Sequence, residues 1–275
     1  MLRLRALVVS SALLALAAPA SAAAADSSTQ LFMAAARALD QGATSEAIDD
    51  LELLSDRGFR HPDASYDRAA AYVARARSAQ ARPGDLGRAA AALSETVLDR
   101  PNDEEARAAL DGVRAEISRR RSRQGSDPVV ARPSLLRAVI GLFPEEVWAV
   151  AALLGALALS IGLALRLWSQ RPNVRLSGST AASIGAILWV SFGAGASAAA
   201  HLRRTSEPAV IVVPDARLLD EHGIPIAPQR GVESTAIPEG ADVFVRERRS
   251  GLVRVEWGSS LGWISSTDVR VIAAR

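Results

Sequence analysis

Cysteine does not occur in this chain. There is accordingly no disulfide, no thiolate metal site and no lipid-attachment cysteine near the amino terminus. Folded parts that face an oxidising compartment must be held by packing alone. Lysine does not occur either, and all 32 basic residues are arginine. With alanine so abundant, this reads as the bias of a GC-rich genome and says little about phosphate recognition. Acids nearly balance the arginines, for a formal charge of +2. Residues 26–127 carry 15 Arg against 18 acids, and residues 201–275 ten against ten, so no nucleic-acid footprint is visible. The three histidines, His61, His201 and His222, are scattered without metal-ligand spacing. Neither a P-loop nor a dinucleotide loop is present. No catalytic residue, metal or cofactor is expected.

Charge is also missing from two long runs, and the rest of the chain is organised around them. No charged residue lies between Glu146 and Arg166, nor between Arg175 and His201. At 1.5 Å per helical residue the first run spans roughly 30 Å, a bilayer's hydrocarbon thickness. Residues 147–165 and 176–200 are therefore expected to be two membrane-spanning helices. Pro144, Glu145 and Glu146 make a favourable helix start, and Trp148 and Trp168 stand where indoles prefer the two interfaces. The turn 166–175 carries Arg166, Arg171 and Arg175 and no acid. By the positive-inside rule it lies in the cytoplasm, so both flanking regions face the other side. No ionisable residue falls inside either span, which argues against a transporter or proton path. Gly155 and Gly162 are seven apart, as are Gly178 and Gly185, so each pair shares a helix face that lets backbones approach closely.

The amino terminus agrees with that orientation. Arg3 and Arg5 precede an apolar run from Ala6 to Ala18 and the small-residue stretch Pro19-Ala20-Ser21-Ala22. This is the layout of a secretory signal peptide over residues 1–25. The alternative is an uncleaved amino-terminal anchor, and either one exports the chain behind it.

Residues 26–123 alternate polar and apolar side chains at helical spacing, broken at Gly42, Gly58, Pro62, Pro83-Gly84 and Pro101-Asn102. Four or five helices joined by short turns are expected. Two segments align: Ala47-Ile48-x-x-Leu51-x-x-Leu54, and Ala89-Ala90-x-x-Leu93-x-x-Val97-Leu98, the latter followed by Pro101. The pattern resembles the tetratricopeptide (TPR) helix-turn-helix repeat, with small residues where the paired helices cross. The departure is a 42-residue spacing from Ala47 to Ala89, whose excess is assigned to a lengthened helix A, Ser65 to Arg82, and its turn. Asn102-x-x-Glu105 reads as a capping box opening the last helix. The resemblance implies a concave peptide- or protein-binding face. About two and a half repeats are fewer than independent stability needs, so docking to a partner would help. Arg119-Arg120-Arg121 reads as a basic helix end suited to the dipole, or as a contact patch.

Residues 124–133 read as a linker. Residues 134–143 are apolar, singly charged and too short to span, and are expected to lie in the outer membrane interface.

From residue 207 to residue 275 the period changes to two, with short strands around 209–213, 241–247, 252–257, 261–265 and 268–272. Val253, Val255 and Trp257 share one face, and Arg254 and Glu256 the other. The run from Ile237 to Val245, then Gly251-Leu-Val-Arg-Val255 and Gly262-Trp-Ile264, resembles the bacterial SH3-like (SH3b) domain. An aromatic often found at the Leu252 position is missing, and Arg217 to Val232 is a longer excursion than usual. With no Tyr and only Phe244, Trp257 and Trp263, polyproline binding is not expected. Gly258-Ser259-Ser260-Leu261-Gly262 formally matches a nucleophile elbow. A strand succeeds it rather than a helix, and no histidine lies downstream.

The fold class expected is thus multidomain: all-α TPR-like repeats, a two-helix transmembrane hairpin and a small all-β SH3-like barrel. This series resembles the E-type Bat proteins, TPR/SH3 membrane components of bacterial aerotolerance operons. The resemblance implies a non-enzymatic inner-membrane scaffold with periplasmic domains. It implies as partners von Willebrand A-type membrane proteins and, indirectly, a MoxR-type ATPase. The competing reading is an envelope sensor or anchor that binds peptidoglycan through the SH3-like domain.

Overall fold

The computed structural model describes residues 27–125, 135–226 and 236–272. The expected export signal, most of the linker and residues 227–235, which include the end of the long excursion, lie outside them. The first part is helical: α1 (27–40), α2 (Thr44–Asp56), α3 (Pro62–Ala76), α4 (Asp85–Asp99) and α5 (Glu104–Arg123). Each of α2 to α4 packs on the helix after it. Ala47 and Ala89, expected at the helix crossings, are both fully buried.

Two local expectations are corrected. Helix α3 is not lengthened to Arg82. It starts at Pro62 behind His61, whose ring accepts the Asp63 N–H, and it ends at Ala76. Of the helix and turn expected to share the excess spacing, the turn 77–84 alone takes it, and side chains hold that turn in shape. The Ser78 hydroxyl donates to the Arg75 carbonyl and accepts from Gln80 N–H, and the Asp85 carboxylate accepts from Arg82 N–H. Asp85 also takes both arms of Arg75, at 2.6 and 3.1 Å, with each side chain almost wholly buried. The second correction concerns α5. Its cap is Asp103, which accepts from Ala106 N–H, while Glu105 is taken up by Tyr66 instead of closing a capping box.

The short helix α6 (Leu135–Ile140) leads into α7 (Glu145–Trp168) and α8 (Pro172–Thr205), two helices long and apolar enough to cross a membrane. At 34 residues α8 is about 51 Å long, and only residues 169–171 separate the pair. Gly155, Gly162, Gly178 and Gly185 all lie at their contact. A Cβ on Gly155 would stand 2.6 Å from the Trp189 amide nitrogen, so the backbones touch there. Most of both helices' large apolar side chains point away from the protein. Trp148 pins the elbow between α6 and α7: its indole N–H reaches the carbonyls of Ile140 and Phe143, and its ring meets Phe143 and Phe192.

The remainder of the described chain forms strands β1 (Glu207–Ile211), β2 (Asp215–Arg217), β3 (Ala236–Pro238), β4 (Asp242–Arg249), β5 (Leu252–Trp257), β6 (Ser260–Ser265) and β7 (Val269–Val271). Five form an antiparallel sheet in the order β6-β5-β4-β1-β7, and β2 pairs with β3. A short 3-10 turn, Ser266–Asp268, returns the chain to β7 beside β1. Alternation in β5 buries Val253, Val255 and Trp257. Both tryptophans, Trp257 and Trp263, are buried.

Helices and sheet are not separate bodies. Val210, Val212 and Ile272 of the β part belong to the same apolar core as Ala89, Ala90, Leu93 and Ile117. Helix α4 is the pivot, buried against α3, α5 and β1 on nearly every side. Its small side chains, Ala89 to Ala92, are buried throughout, and its glycines permit the approach. A Cβ on Gly87 would lie 2.7 Å from the Ile211 carbonyl, and one on Gly84 would strike Val212.

Candidate interaction groove

Helices α3 and α5 leave a furrow between them. Tyr66, Ala70 and Val73 along α3, and Arg77 just past its end, succeed one another at helical spacing opposite Ala109, Gly112, Val113 and Arg119 of α5, with Leu93 beneath. The cavity is about 370 Å³. Its floor is made of small apolar groups, and a Cβ on Gly112 would meet nothing within 4 Å. Such a furrow accepts side chains from outside and offers none of its own.

Its two ends are polar and differ in charge. At one end Tyr66 donates to Glu105 at 3.0 Å, and burial together with that acidic neighbour pushes the phenol pKa up. At the other, Arg77 donates to Glu116 at 2.8 Å and Arg120 does so at 2.7 Å. The Arg77 bond, more than offsetting burial, holds the Glu116 carboxyl below its ordinary range. Arg119 lines the wall beside them. A segment with an apolar stretch and an acidic end near Arg77 and Arg119 would match this polarity.

The face opposite is occupied by the β domain. Glu239 accepts the Gly87 N–H at 2.7 Å, an acid at the positive end of α4. Arg114 pairs with Asp242 and Arg121 with Asp215. Arg270 reaches Ser55 and Glu52 of α2. Of the Arg119-Arg120-Arg121 run, then, Arg120 and Arg121 are engaged within the chain. Two cavities flank the seam: about 360 Å³ beside Glu239, Arg82 and Arg121, and about 300 Å³ beside Tyr72, Arg88 and Arg270.

The remaining sequence candidates are dispersed. Ser260 pairs with Trp257 across a two-residue hairpin turn, and β6 continues from it. His61 caps α3, His201 lies in the last turns of α8, and His222 sits in a turn whose amides bind Asp220. Among the described residues no three His, Asp or Glu side chains form a metal-ligand group. Sequence reasoning missed the groove residues. The spacing Tyr66-Ala70-Val73-Arg77 was a readable stripe, whereas its opposition to α5 depends on packing.

Comparison with known protein families, characterised proteins and solved structures gives no match.

Proposed function

We propose that this chain is a non-enzymatic inner-membrane scaffold that captures a segment of an envelope partner in the α3/α5 groove. The observation that carries the reading is the groove itself: open, apolar-floored and charge-marked, on a domain whose opposite face is already filled. Packing of a helical domain before the hairpin against a β domain after it requires both on one side of a bilayer. That supports the topology drawn from Arg166, Arg171 and Arg175, with the periplasm outside. The strand order, with a returning 3-10 turn and β7 closing on β1, supports the SH3-like reading. The paired helices with buried Ala47 and Ala89 support the TPR-like one. These features are the support for a role like that of the E-type Bat proteins. Its partners would be von Willebrand A-type membrane proteins, with a MoxR-type ATPase acting indirectly in stress tolerance.

Peptidoglycan binding by the β domain is the weaker reading. Its tryptophans are buried, and Arg137 covers Phe244, so these rings make no open aromatic platform. The test is affinity purification of the detergent-solubilised full chain carrying Ala70→Arg or Gly112→Arg in the groove, beside Leu53→Arg on α2. Membrane proteins recovered with the wild type and with Leu53→Arg should be lost with both groove variants. Equal recovery from all four would sink the groove, and recovery of wall fragments instead would favour the anchor.

A further inference from the structure

We infer that the β domain is seated directly on the bilayer surface, on a patch formed by α6, the turn after it and Leu261. This rests on the reading of α7 and α8 as membrane spans. The starting point is a row across the sheet. Pro208 is opposite Phe244, Phe244 opposite Glu256, and Glu256 opposite Leu261. Residues opposite one another project from the same face. Since Val255 and Trp257 point inward, this row lies on the sheet's outer face.

Helix α6 lies across the middle of the row. The Arg137 guanidinium stacks over the Phe244 ring at 3.6 Å and donates to the Glu256 carboxylate at 2.7 Å. Arg246 donates to the same carboxylate and to Thr205 at the end of α8. Arg137 is the only charge on α6 and turns to the sheet, which leaves the rest of the segment apolar. Val139, Leu142 and Phe143 are each about half exposed or more, and Leu261, next in the row, is 47% exposed.

Continuity with the spans identifies the lipid surface as the cover of this patch. Phe143 leads at once into α7, whose Val147 and Val150 are exposed in the same way. Trp148 fixes the angle between the two segments. Height is set as well. Arg203 of α8 pairs with Glu145 at the start of α7, and Ser206 alone separates α8 from β1. At about 3.3 Å per extended residue, Pro208 stands no more than about 10 Å beyond the end of α8. A domain on so short a tether, clasped by an apolar segment leaving the span, meets the boundary between headgroups and acyl chains.

A chain without cysteine makes the test clean, because one introduced thiol is the sole labelling site. Leu142→Cys, Leu261→Cys, Ile161→Cys in mid-span and Asp49→Cys on α2 would each carry an environment-sensitive fluorophore. The full chain would be reconstituted in vesicles of phosphatidylcholine and phosphatidylglycerol. Shallow nitroxide-labelled lipids should quench the Leu142 and Leu261 labels, deep ones the Ile161 label, and neither the Asp49 label. A Leu261 label as open to aqueous iodide as the Asp49 label, with Ile161 quenched, overturns the seat and leaves the spans standing. An unquenched Ile161 label overturns the membrane reading on which the seat depends.

Discussion

Glu239 stands on the β side of the seam, where burial pushes its pKa up despite the Gly87 N–H it accepts. The folded state therefore holds this proton more tightly than the unfolded chain does. Stability contributed here falls as pH rises from the ordinary carboxylate value through the raised one, and stays low above it. Asp242 shifts the same way through burial, opposed by Arg114, but its side chain is more than half exposed and solvent screens it. Glu116 and Glu256 act in a lower window. Arg77 and Arg120 depress the Glu116 pKa, and at Glu256 burial is outweighed by Arg137 and Arg246, so both contributions are present above the ordinary carboxylate range and are lost as pH falls below it. Mild acidification from neutrality should thus tighten the seam before strong acid loosens the ion pairs. Glu239→Gln keeps an acceptor for Gly87 and removes the charge. Thermal unfolding of the detergent-solubilised chain should show this variant at least as stable as wild type at about pH 7.5, with the gain shrinking near about pH 5. A pH response identical to wild type would show that Glu239 does not titrate in this window.

Helix α4 shows how one element can serve three neighbours. Its run Ala89-Ala90-Ala91-Ala92 is buried throughout, because α3, α5 and the β domain all press on it. From a repeat alone, Ala92 should tolerate enlargement better than Ala89. In the folded chain both are fully buried. Ala89→Leu and Ala92→Leu are accordingly expected to destabilise alike, by about 1–3 kcal/mol each through overpacking. Gly87→Ala should do comparable harm, because its methyl would enter the β1 backbone. The comparison belongs in the full chain, since a piece ending at Arg123 would lose Val210, Val212 and Ile272 from its core. A clearly milder Ala92→Leu would mean that this face of α4 is looser than its burial implies.

For the whole molecule, the domain contact and the hairpin constrain each other. Residues 27–125 and the strands after residue 206 share one core although α7 and α8 intervene. The helical part is completed within the chain, by the β strands that share its apolar core. Reporter fusions at Arg123 and Arg275 are expected to be active only outside the cytoplasm. A cytoplasmically active reporter at Arg275 alone would make the seam impossible in a membrane and refute the two-span reading.

Elements were legible in the sequence wherever their signal was local. Uncharged runs long enough for a bilayer marked α7 and α8, period-two alternation marked β5, and the seven-residue glycine spacing marked the faces that meet in the hairpin. Proline and glycine marked most helix ends, though not whether the residues between Ala76 and Asp85 continued the helix or turned. That choice went to the turn, because Asp85 is held in place by Arg75 and by the Arg82 amide. The tertiary structure alone decided what each surface faces. Ala90 and Ala91 look like ordinary helix residues until the β part packs on their helix. Arg121 and Arg137 look like solvated charges until Asp215 and Glu256 meet them. The groove likewise exists only because α3 and α5 lie side by side. Period and composition report which side chains leave water, whereas the partner that receives them lies up to 215 residues away, as Arg270 does from Ser55, and only folding selects it.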